Sequence, residues 1–284
     1  MTEVKLKLNE PFNLDATLDC GQAFRWFREN GIWTGVLKEG IYSVEKENDF
    51  LKIEYSSRDT EKERGFHRDY LKKYFNVKFD YDEFEKMILK KSGKFRELFQ
   101  EILNFSRGLR ILNQQPFEVL ISYILSIQSS IPLIKKRIKK ISALFPENLH
   151  HFKGKDYYHF PTFEQFKKIT DKEYKELRLG YREKYFRRLT EEFDGEDFCV
   201  KLKSKSTEEK LERLKTIYGV GDKVGCCIML FSLEDYSAVP VDIWIERFFQ
   251  RYALELKDEF YERFKPFAGV LQEYIYRWIR NEKN

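Results

Sequence analysis

Lys223 and Asp242 are the residues whose types and positions best suit chemistry at an electrophilic carbon atom. Lys223 falls at the predicted start of a helix, where the helix dipole disfavours positive charge and therefore favours the neutral amine. A neutral lysine amine is a nucleophile that can form a Schiff base. Asp242 follows Val239-Pro240-Val241, and its carboxylate can stabilise positive charge that develops during a reaction. A solvated surface lysine and a helix-capping aspartate fit the same pattern, so spacing alone leaves both interpretations open.

A helix, a short glycine turn and a second helix are predicted to position Lys223. Ser206 and Glu209 have the Ser-x-x-Glu spacing of a capping box, which predicts that the first helix starts there. The run Gly219-Val220-Gly221 ends that helix, because glycine adopts the positive φ of a tight turn without penalty. Apolar residues from Val224 to Phe231 recur at helical spacing and predict the second helix. Backbone N–H groups of such a turn, at a helix N-terminus, can bind a phosphate.

Five segments, in the same order along the chain, resemble the helix-hairpin-helix superfamily of base-excision DNA glycosylases, and its 8-oxoguanine DNA glycosylases in particular. The segments are Gly21-Gln22-Ala23-Phe24-Arg25-Trp26, Gly108-Leu109-Arg110-Ile111-Leu112-x-Gln114-x-Pro116, Leu179-Gly180-Tyr181-Arg182, the glycine turn with Lys223 and the later Asp242, and Ala268-Gly269-x-x-Gln272. Together they span nearly the whole chain. The resemblance implies that Lys223 and Asp242 are both catalytic.

We expect an α+β fold, with an N-terminal antiparallel sheet domain plus helices at residues 1–105 and a helical glycosylase domain at 106–284. Runs of β-branched and aromatic residues predict strands at 32–37, 41–44 and 50–55. Helical spacing of apolar residues predicts helices at 69–105, 116–130, 134–144, 243–252 and 261–280. Thr162 and Gln165 form a second capping-box pattern, and residues 145–161 before it are predicted to be a loop.

The implied activity is that of a bifunctional DNA glycosylase and AP lyase on double-stranded DNA that contains oxidised guanine. The damaged base must leave the helical stack before any group can reach its sugar. Lys223 then attacks C1′, displaces 8-oxoguanine and forms a Schiff base, while Asp242 stabilises charge on the sugar. Proton removal breaks the 3′ phosphate bond by β-elimination. The backbone amides of Gly219, Gly221 and Val224 hold a phosphate beside the lesion, and no metal or diffusible cofactor is implied.

The resemblance also implies a base pocket and a DNA-contacting surface. The Gly21 carbonyl accepts the N7–H that 8-oxoguanine has and guanine lacks. Gln272 bonds the Watson–Crick edge, and the base lies between the ring of Tyr276 and Cys227. On the DNA surface, Gln128 falls at the position that fills the gap left by the flipped base. Tyr181 and Arg182 fall at the wedge against the partner strand.

Two positions depart from the family pattern. Leu133 falls where eukaryotic members carry an arginine that reads the opposite cytosine, and Trp244 falls where many carry a histidine that touches the DNA backbone. Two other functions remain open. One is an alkylated-base glycosylase of the same superfamily, which would use water and would not need Lys223. The other is a non-enzymatic duplex-binding protein that uses the hairpin only as a phosphate clamp.

Composition limits these possibilities without deciding among them. The chain has 284 residues with 52 Lys and Arg against 47 Asp and Glu, and the net charge of +5 permits nucleic-acid binding. Four cysteines show no zinc or iron–sulfur spacing, and the adjacent Cys226 and Cys227 cannot easily pair on a helix. No signal peptide or membrane-spanning run is evident. We therefore expect an intracellular monomer in the cytoplasm or nucleoid.

Overall fold

The N-terminal part of the chain forms a five-stranded antiparallel sheet. The computed structural model describes residues 2–8, 11–59, 61, 64–193, 195 and 198–282, with the side chains of 199 and 200 excepted. The sheet has strand order β1-β5-β4-β3-β2, and its strands are β1 (Thr2–Lys7), β2 (Trp26–Glu29), β3 (Ile32–Leu37), β4 (Gly40–Glu47) and β5 (Phe50–Ser57). The three strands predicted from their β-branched and aromatic residues are confirmed.

Helices make up most of the remaining described chain. They are α1 (Leu14–Asp19), α2 (Arg64–Tyr74), α3 (Tyr81–Lys91), α4 (Arg96–Phe105), α5 (Pro116–Ser126), α6 (Ile131–Ser142), α7 (Phe163–Phe166), α8 (Asp171–Leu177), α9 (Glu183–Glu192), α10 (Phe198–Leu202), α11 (Thr207–Lys215), α12 (Asp222–Ser232), α13 (Ile243–Tyr252), α14 (Phe260–Phe264) and α15 (Ala268–Asn281). The α+β fold class is confirmed. In the part of the chain that the structure describes, no helix has both the length and the apolarity needed to cross a membrane.

Both capping boxes form as predicted, at the starts of α7 and α11. In each, the hydroxyl group of the first residue accepts the backbone N–H three residues later, and the side chain of that later residue accepts the first residue's own N–H. The pairs are Thr162 with Gln165 and Ser206 with Glu209. These reciprocal bonds satisfy N–H groups that have no partner within the helix.

The helical core is organised around α5, which is buried on nearly every side. Pro116 lies in its first turn, as predicted. The helix packs along α12, where the rings of Tyr123 and Phe231 stack with centroids 5.5 Å apart. Burying two large rings against each other holds the two helices in register. The N–H of Gln114, just before α5, donates to the Phe231 carbonyl near the end of α12 at 2.8 Å. The end of α5 correspondingly lies beside the start of α12, where Lys223 donates to Ser126.

Residues 145–161 are not an irregular loop as predicted; they contain a β-hairpin of β6 (Leu149–Phe152) and β7 (Lys155–Tyr158). Lys153 and Gly154 between the strands have φ values of 49° and 74°, as a tight two-residue hairpin turn requires. Phe152 and Tyr157 pack against β3 and β4 of the N-terminal sheet. The hairpin therefore links the helical part of the chain to the sheet.

The single helix predicted at 261–280 is also wrong, because the chain breaks between α14 and α15. Pro266 has no N–H to donate, and the preceding Lys265 has extended backbone with φ −61° and ψ 145°. A residue before proline is disfavoured in the helical conformation. As a result, α15 starts afresh at Ala268, and its new direction brings Gln272 and Tyr276 to the pocket described below.

Candidate active site and DNA interface

The amine of Lys223 is held at the junction of α5 and α12. Lys223 is the second residue of α12 and is half-buried. Its Nζ atom donates a hydrogen bond to the Ser126 hydroxyl at 3.1 Å and lies 5.0 Å from the centroid of the Tyr123 ring. A lysine held by two residues of another helix has lost much of the rotamer freedom of a surface lysine. The geometry therefore favours a positioned nucleophile over a solvated charge.

The glycine turn before α12 leaves backbone amides free. Gly219 has a φ of 93°, and a Cβ there would lie 2.8 Å from the Tyr185 ring, so only glycine fits. Gly221 is the N-cap of α12 and has no side chain to accept the first N–H groups of the helix. The helical hydrogen bonds begin with the N–H of Gly225, which donates to the Gly221 carbonyl at 2.8 Å. Among the described groups, none accepts a hydrogen bond from the backbone N–H of Gly219, Gly221 or Val224, so these amides are available to an anion.

Asp242 caps α13 and keeps one carboxylate oxygen available. Its Oδ1 atom accepts hydrogen bonds from the backbone N–H groups of Trp244 at 2.9 Å and Ile245 at 3.1 Å. These two hydrogen bonds hold the side chain in place, and both engage the same oxygen atom. Burial is the main cause that raises the pKa values of Cys227 and Glu273, and the negative charge of Asp242 acts in the same direction on both. Asp242 is therefore a cap and a fixed negative charge at once.

Gly21 lies between α1 and β2, against side chains of α6 and α15. Its φ is +103°, and a Cβ there would lie 3.2 Å from Ile131 and 3.7 Å from the Tyr276 ring. A side chain at this position is strained by the backbone conformation and would crowd the end of the Ile131 side chain. Among the described residues, no donor is bonded to the Gly21 carbonyl. That oxygen can accept a hydrogen bond from a ligand.

Gln22 fixes the segment that carries Gly21, a role that the motif itself did not reveal. Its side-chain Nε2 donates to the Thr17 carbonyl at 2.9 Å and to the Arg110 carbonyl at 2.8 Å. Its Oε1 accepts from the N–H of Leu112 at 2.8 Å. Gln22 is 1% exposed, so these buried bonds are costly to break. The Gly21 carbonyl is thereby held in one direction.

The other predicted pocket residues come from α12 and α15. Gln272 and Tyr276 are one turn apart on α15, and Gln272 is buried with its Oε1 atom unbonded to any described group. Cys227 is buried on α12. Burial raises the pKa of its thiol to about 12 and outweighs the opposite effect of the Lys223 amine, so Cys227 faces the pocket as a neutral thiol. The pocket therefore combines apolar surface with an unused amide acceptor.

Gln128, Tyr181 and Arg182 form one network at the loop after α5. Gln128 is exposed and has a φ of 47°. The Tyr181 hydroxyl donates to the Ile127 carbonyl at 3.2 Å, and its ring is 42% exposed. The Arg182 guanidinium is buried beside that ring, 4.5 Å from its centroid, and donates to the carbonyls of Ile127 and Gln128. Tyr181 and Gln128 are thus the outer residues, and Arg182 braces the loop from beneath.

The two departures from the family pattern lie near the starts of α6 and α13. Leu133 is 39% exposed in the first turn of α6. Trp244 is half-buried in α13, with the guanidinium of Arg247 at 4.6 Å from its ring centroid. Neither position offers the side chain that the family pattern has there. Among the described residues, no three His, Cys, Asp or Glu side chains converge as metal ligands do.

Three residues that the sequence patterns did not indicate also contribute to the site. Ser126 binds the Lys223 amine. Glu273 is 4% exposed between the two predicted pocket residues of α15. Arg280 donates to the Cys20 carbonyl and to the Tyr276 hydroxyl, each at 3.3 Å. The bonds of Ser126 to Lys223 and of Arg280 to Cys20 join segments far apart along the chain, so no local pattern indicates them.

Several known proteins resemble this chain in sequence or in structure. The family description "8-oxoguanine DNA glycosylase, N-terminal domain" matches residues 4–120. The apo 8-oxoguanine glycosylase/lyase of Clostridium acetobutylicum is 33% identical, with a TM-score of 0.85 over 98% of this chain and 96% of that one. The structure of that protein with double-stranded DNA containing cytosine opposite 8-oxoguanine is similar at a TM-score of 0.84 and 32% identity, over 98% and 97% of the two chains. The N-glycosylase/DNA lyase of Arabidopsis thaliana is 27% identical over 85% of this chain and 66% of its own length.

Proposed function

Because this chain belongs to the 8-oxoguanine DNA glycosylase family, we propose that it excises 8-oxoguanine from double-stranded DNA and then cleaves the strand as an AP lyase. The observation that carries the proposal is the position of the Lys223 amine. It is held on Ser126 at 3.1 Å at the start of α12, and its charge and that of the Asp242 carboxylate both act on the buried Glu273. An amine and a carboxylate so placed suit attack on a sugar carbon that gains positive charge.

The reaction proceeds through the sugar of the flipped nucleotide. As the bond between C1′ and the base breaks, its electron pair leaves with 8-oxoguanine. The Lys223 nitrogen forms a new bond to C1′, and the sugar ring opens to give a Schiff base. Asp242 stabilises the positive charge that builds on the sugar. Loss of a proton from C2′ then expels the 3′ phosphate by β-elimination.

The residues around the pocket fit recognition of the oxidised base. The Gly21 carbonyl accepts the N7–H of 8-oxoguanine and repels the lone pair that guanine has there. A site built around one hydrogen bond rejects an analogue that cannot make it. Gln272 bonds the Watson–Crick edge, and the base stacks between Tyr276 and Cys227.

The remaining residues bind and bend the duplex. One copy of the chain supplies all of these contacts, so the protein acts as a monomer. The free amides of Gly219, Gly221 and Val224 bind a phosphate next to the lesion. Gln128 enters the gap that the flipped base leaves, and the exposed ring of Tyr181 stacks on the distorted duplex. Stacking of a base on an aromatic ring contributes roughly 1–3 kcal/mol. Arg182 supports that loop and reaches the partner strand once the loop opens.

The two other functions are less well supported. A monofunctional alkylated-base glycosylase uses water as the nucleophile, so the positioned Lys223 amine would have no role in its reaction. A non-catalytic duplex-binding protein has no need for a buried pocket with the unused acceptors of Gly21 and Gln272. Both alternatives also lack the support of the family relationship.

The test is single-turnover incubation with duplexes containing 8-oxoguanine, guanine or 3-methyladenine at one position. Base release and strand cleavage are measured separately on each duplex. We expect release of 8-oxoguanine with strand cleavage, and release of neither other base. Release of 3-methyladenine without cleavage supports the alkylated-base glycosylase. Tight duplex binding without any release supports the non-catalytic protein.

A further inference from the structure

Glu273 is a buried acid in the base pocket that the mechanism above does not use. It follows Gln272 on α15 and is 4% exposed. It shares one face of α15 with Tyr276 and Arg280, which lie beside Gly21, and Arg280 donates to the carbonyl of Cys20, the residue before Gly21, at 3.3 Å. The Oε1 atom of the Glu273 carboxyl group is buried without a hydrogen-bond partner. An unpartnered polar atom at this depth costs free energy unless a ligand satisfies it.

Titratable and charged groups from every neighbouring element surround this carboxyl. They are Cys20 after α1, Tyr123 of α5, Lys223 and Cys227 of α12, Asp242 before α13, and Tyr276 and Arg280 of α15. Burial raises the pKa of Glu273 to about 7, with Asp242 acting in the same direction. The neighbouring Cys20 thiol and the charges of Arg280 and Lys223 oppose that rise. None of the cations forms an ion pair with Glu273 in the described structure, so the neutral acid is favoured below pH 7.

A neutral carboxylic acid carries an O–H group that needs an acceptor. Glu273 lies beside the Cys20-Gly21 segment, whose Gly21 carbonyl faces the N7–H of the flipped base in the proposed function. In 8-oxoguanine the carbons on both sides of that N7–H edge, C6 and C8, carry oxygen atoms. A donor next to Gly21 therefore meets an oxygen acceptor on whichever side of N7 it lies.

We propose that Glu273 is a specificity-determining residue, whose protonated carboxyl group donates a hydrogen bond to a carbonyl oxygen flanking N7 of the flipped base. The inference rests on the proposed function and deepens it. Its ligand class is purines with a carbonyl oxygen beside an N7–H group. Once ionised, Glu273 presents lone pairs to that oxygen and repels it. The added negative charge also favours the protonated form of Lys223, which cannot attack.

Two substitutions separate this role from simple filling of space. Glu273→Gln keeps the shape and supplies an N–H donor that does not titrate. Glu273→Leu keeps much of the volume and removes the donor. Glu259→Gln, on an exposed glutamate paired with Arg263, is the matched control. Each protein is assayed between pH 6 and 9 on a duplex containing 8-oxoguanine and on a duplex with a preformed abasic site, which presents no base to the pocket.

We expect Glu273→Leu to slow 8-oxoguanine excision roughly 10- to 100-fold, the effect of one lost buried hydrogen bond, and to leave cleavage at the abasic site within about threefold. Glu273→Gln keeps excision near the parental rate at pH 6, and its rate relative to the parental protein rises as the pH increases. Equal losses of Glu273→Leu on both substrates, or its parental rate of excision, overturn the proposal. A rate ratio for Glu273→Gln that does not change with pH overturns it as well. If the parental protein acts on neither substrate, the proposed function fails instead.

Discussion

The Nζ atom of Lys223 lies 3.1 Å from the Oγ atom of Ser126, the last residue of α5. The loop that follows Ser126 carries Gln128, and its carbonyls accept hydrogen bonds from Tyr181 and Arg182. One helix end therefore holds the nucleophile and begins the loop that we propose enters the DNA. A change in that loop as it meets DNA can be transmitted directly to the amine.

Removing the Ser126 hydroxyl tests this connection. We expect Ser126→Ala to slow Schiff-base formation at a preformed abasic site about fivefold, because a positioning hydrogen bond contributes about 1 kcal/mol. Duplex affinity should stay within twofold to threefold, roughly the effect of a neutral surface change. Ser142→Ala is the control, since the buried Ser142 hydroxyl has no described partner. Equal rates for the two variants would remove Ser126 from the mechanism.

Asp242→Asn separates the charge of Asp242 from its capping role. Asparagine accepts the N–H groups of Trp244 and Ile245 nearly as well as aspartate, so stability should fall by no more than about 1 kcal/mol. Excision should slow by about 100-fold, because a neutral amide cannot offset charge on the sugar. The measurements are thermal unfolding and single-turnover excision. A folded variant with the parental excision rate would contradict the assignment.

Discrimination of the base opposite the lesion should be weak. Leu133 offers no donor to the O2 and N3 acceptors of cytosine, and an Arg182 nitrogen already serves two loop carbonyls. We predict excision opposite A, G and T within roughly tenfold of that opposite C. Leu133→Arg should sharpen the cytosine preference. Four duplexes that differ only opposite the lesion suffice, and a thousandfold cytosine preference in the parental protein would mean that another residue reads the partner strand.

Stability should depend on pH through His159, which joins the β6–β7 hairpin to the sheet. Its Nδ1 atom lies 3.1 Å from the Leu37 carbonyl, and burial lowers its pKa to about 3. Because the unfolded chain binds the proton more readily, the free energy of unfolding falls as the pH drops below about 6.5. Denaturant unfolding at pH 8 and pH 5 should show a smaller loss for His159→Gln than for the parental protein. The exposed His151→Gln should behave as the parental protein does, and identical losses in all three would exclude His159.

Local patterns in the sequence account for the elements that carry the chemistry. The capping box at Ser206, the glycine turn and Asp242 before a helix each act over a few residues, so the sequence alone predicts them. The β6–β7 hairpin was missed because its strands contain no β-branched residue and its turn is marked only by Gly154. The bond from Lys223 to Ser126 and that from Arg280 to the Cys20 carbonyl depend on how distant helices pack. The assignment of residues to two domains, at 105 and 106, stays a prediction.

The central claim is that Lys223 is the nucleophile, and borohydride trapping on a duplex containing 8-oxoguanine tests it most directly. Borohydride reduces a Schiff base to a stable covalent bond between protein and DNA. We predict an adduct with the parental protein and with Lys215→Gln, a lysine at the end of α11 that is paired with Asp222 at 3.1 Å. Lys223→Gln should give no adduct and no strand cleavage while it binds the duplex with similar affinity. A covalent adduct formed by Lys223→Gln would show that another amine attacks the sugar, and the account would be wrong.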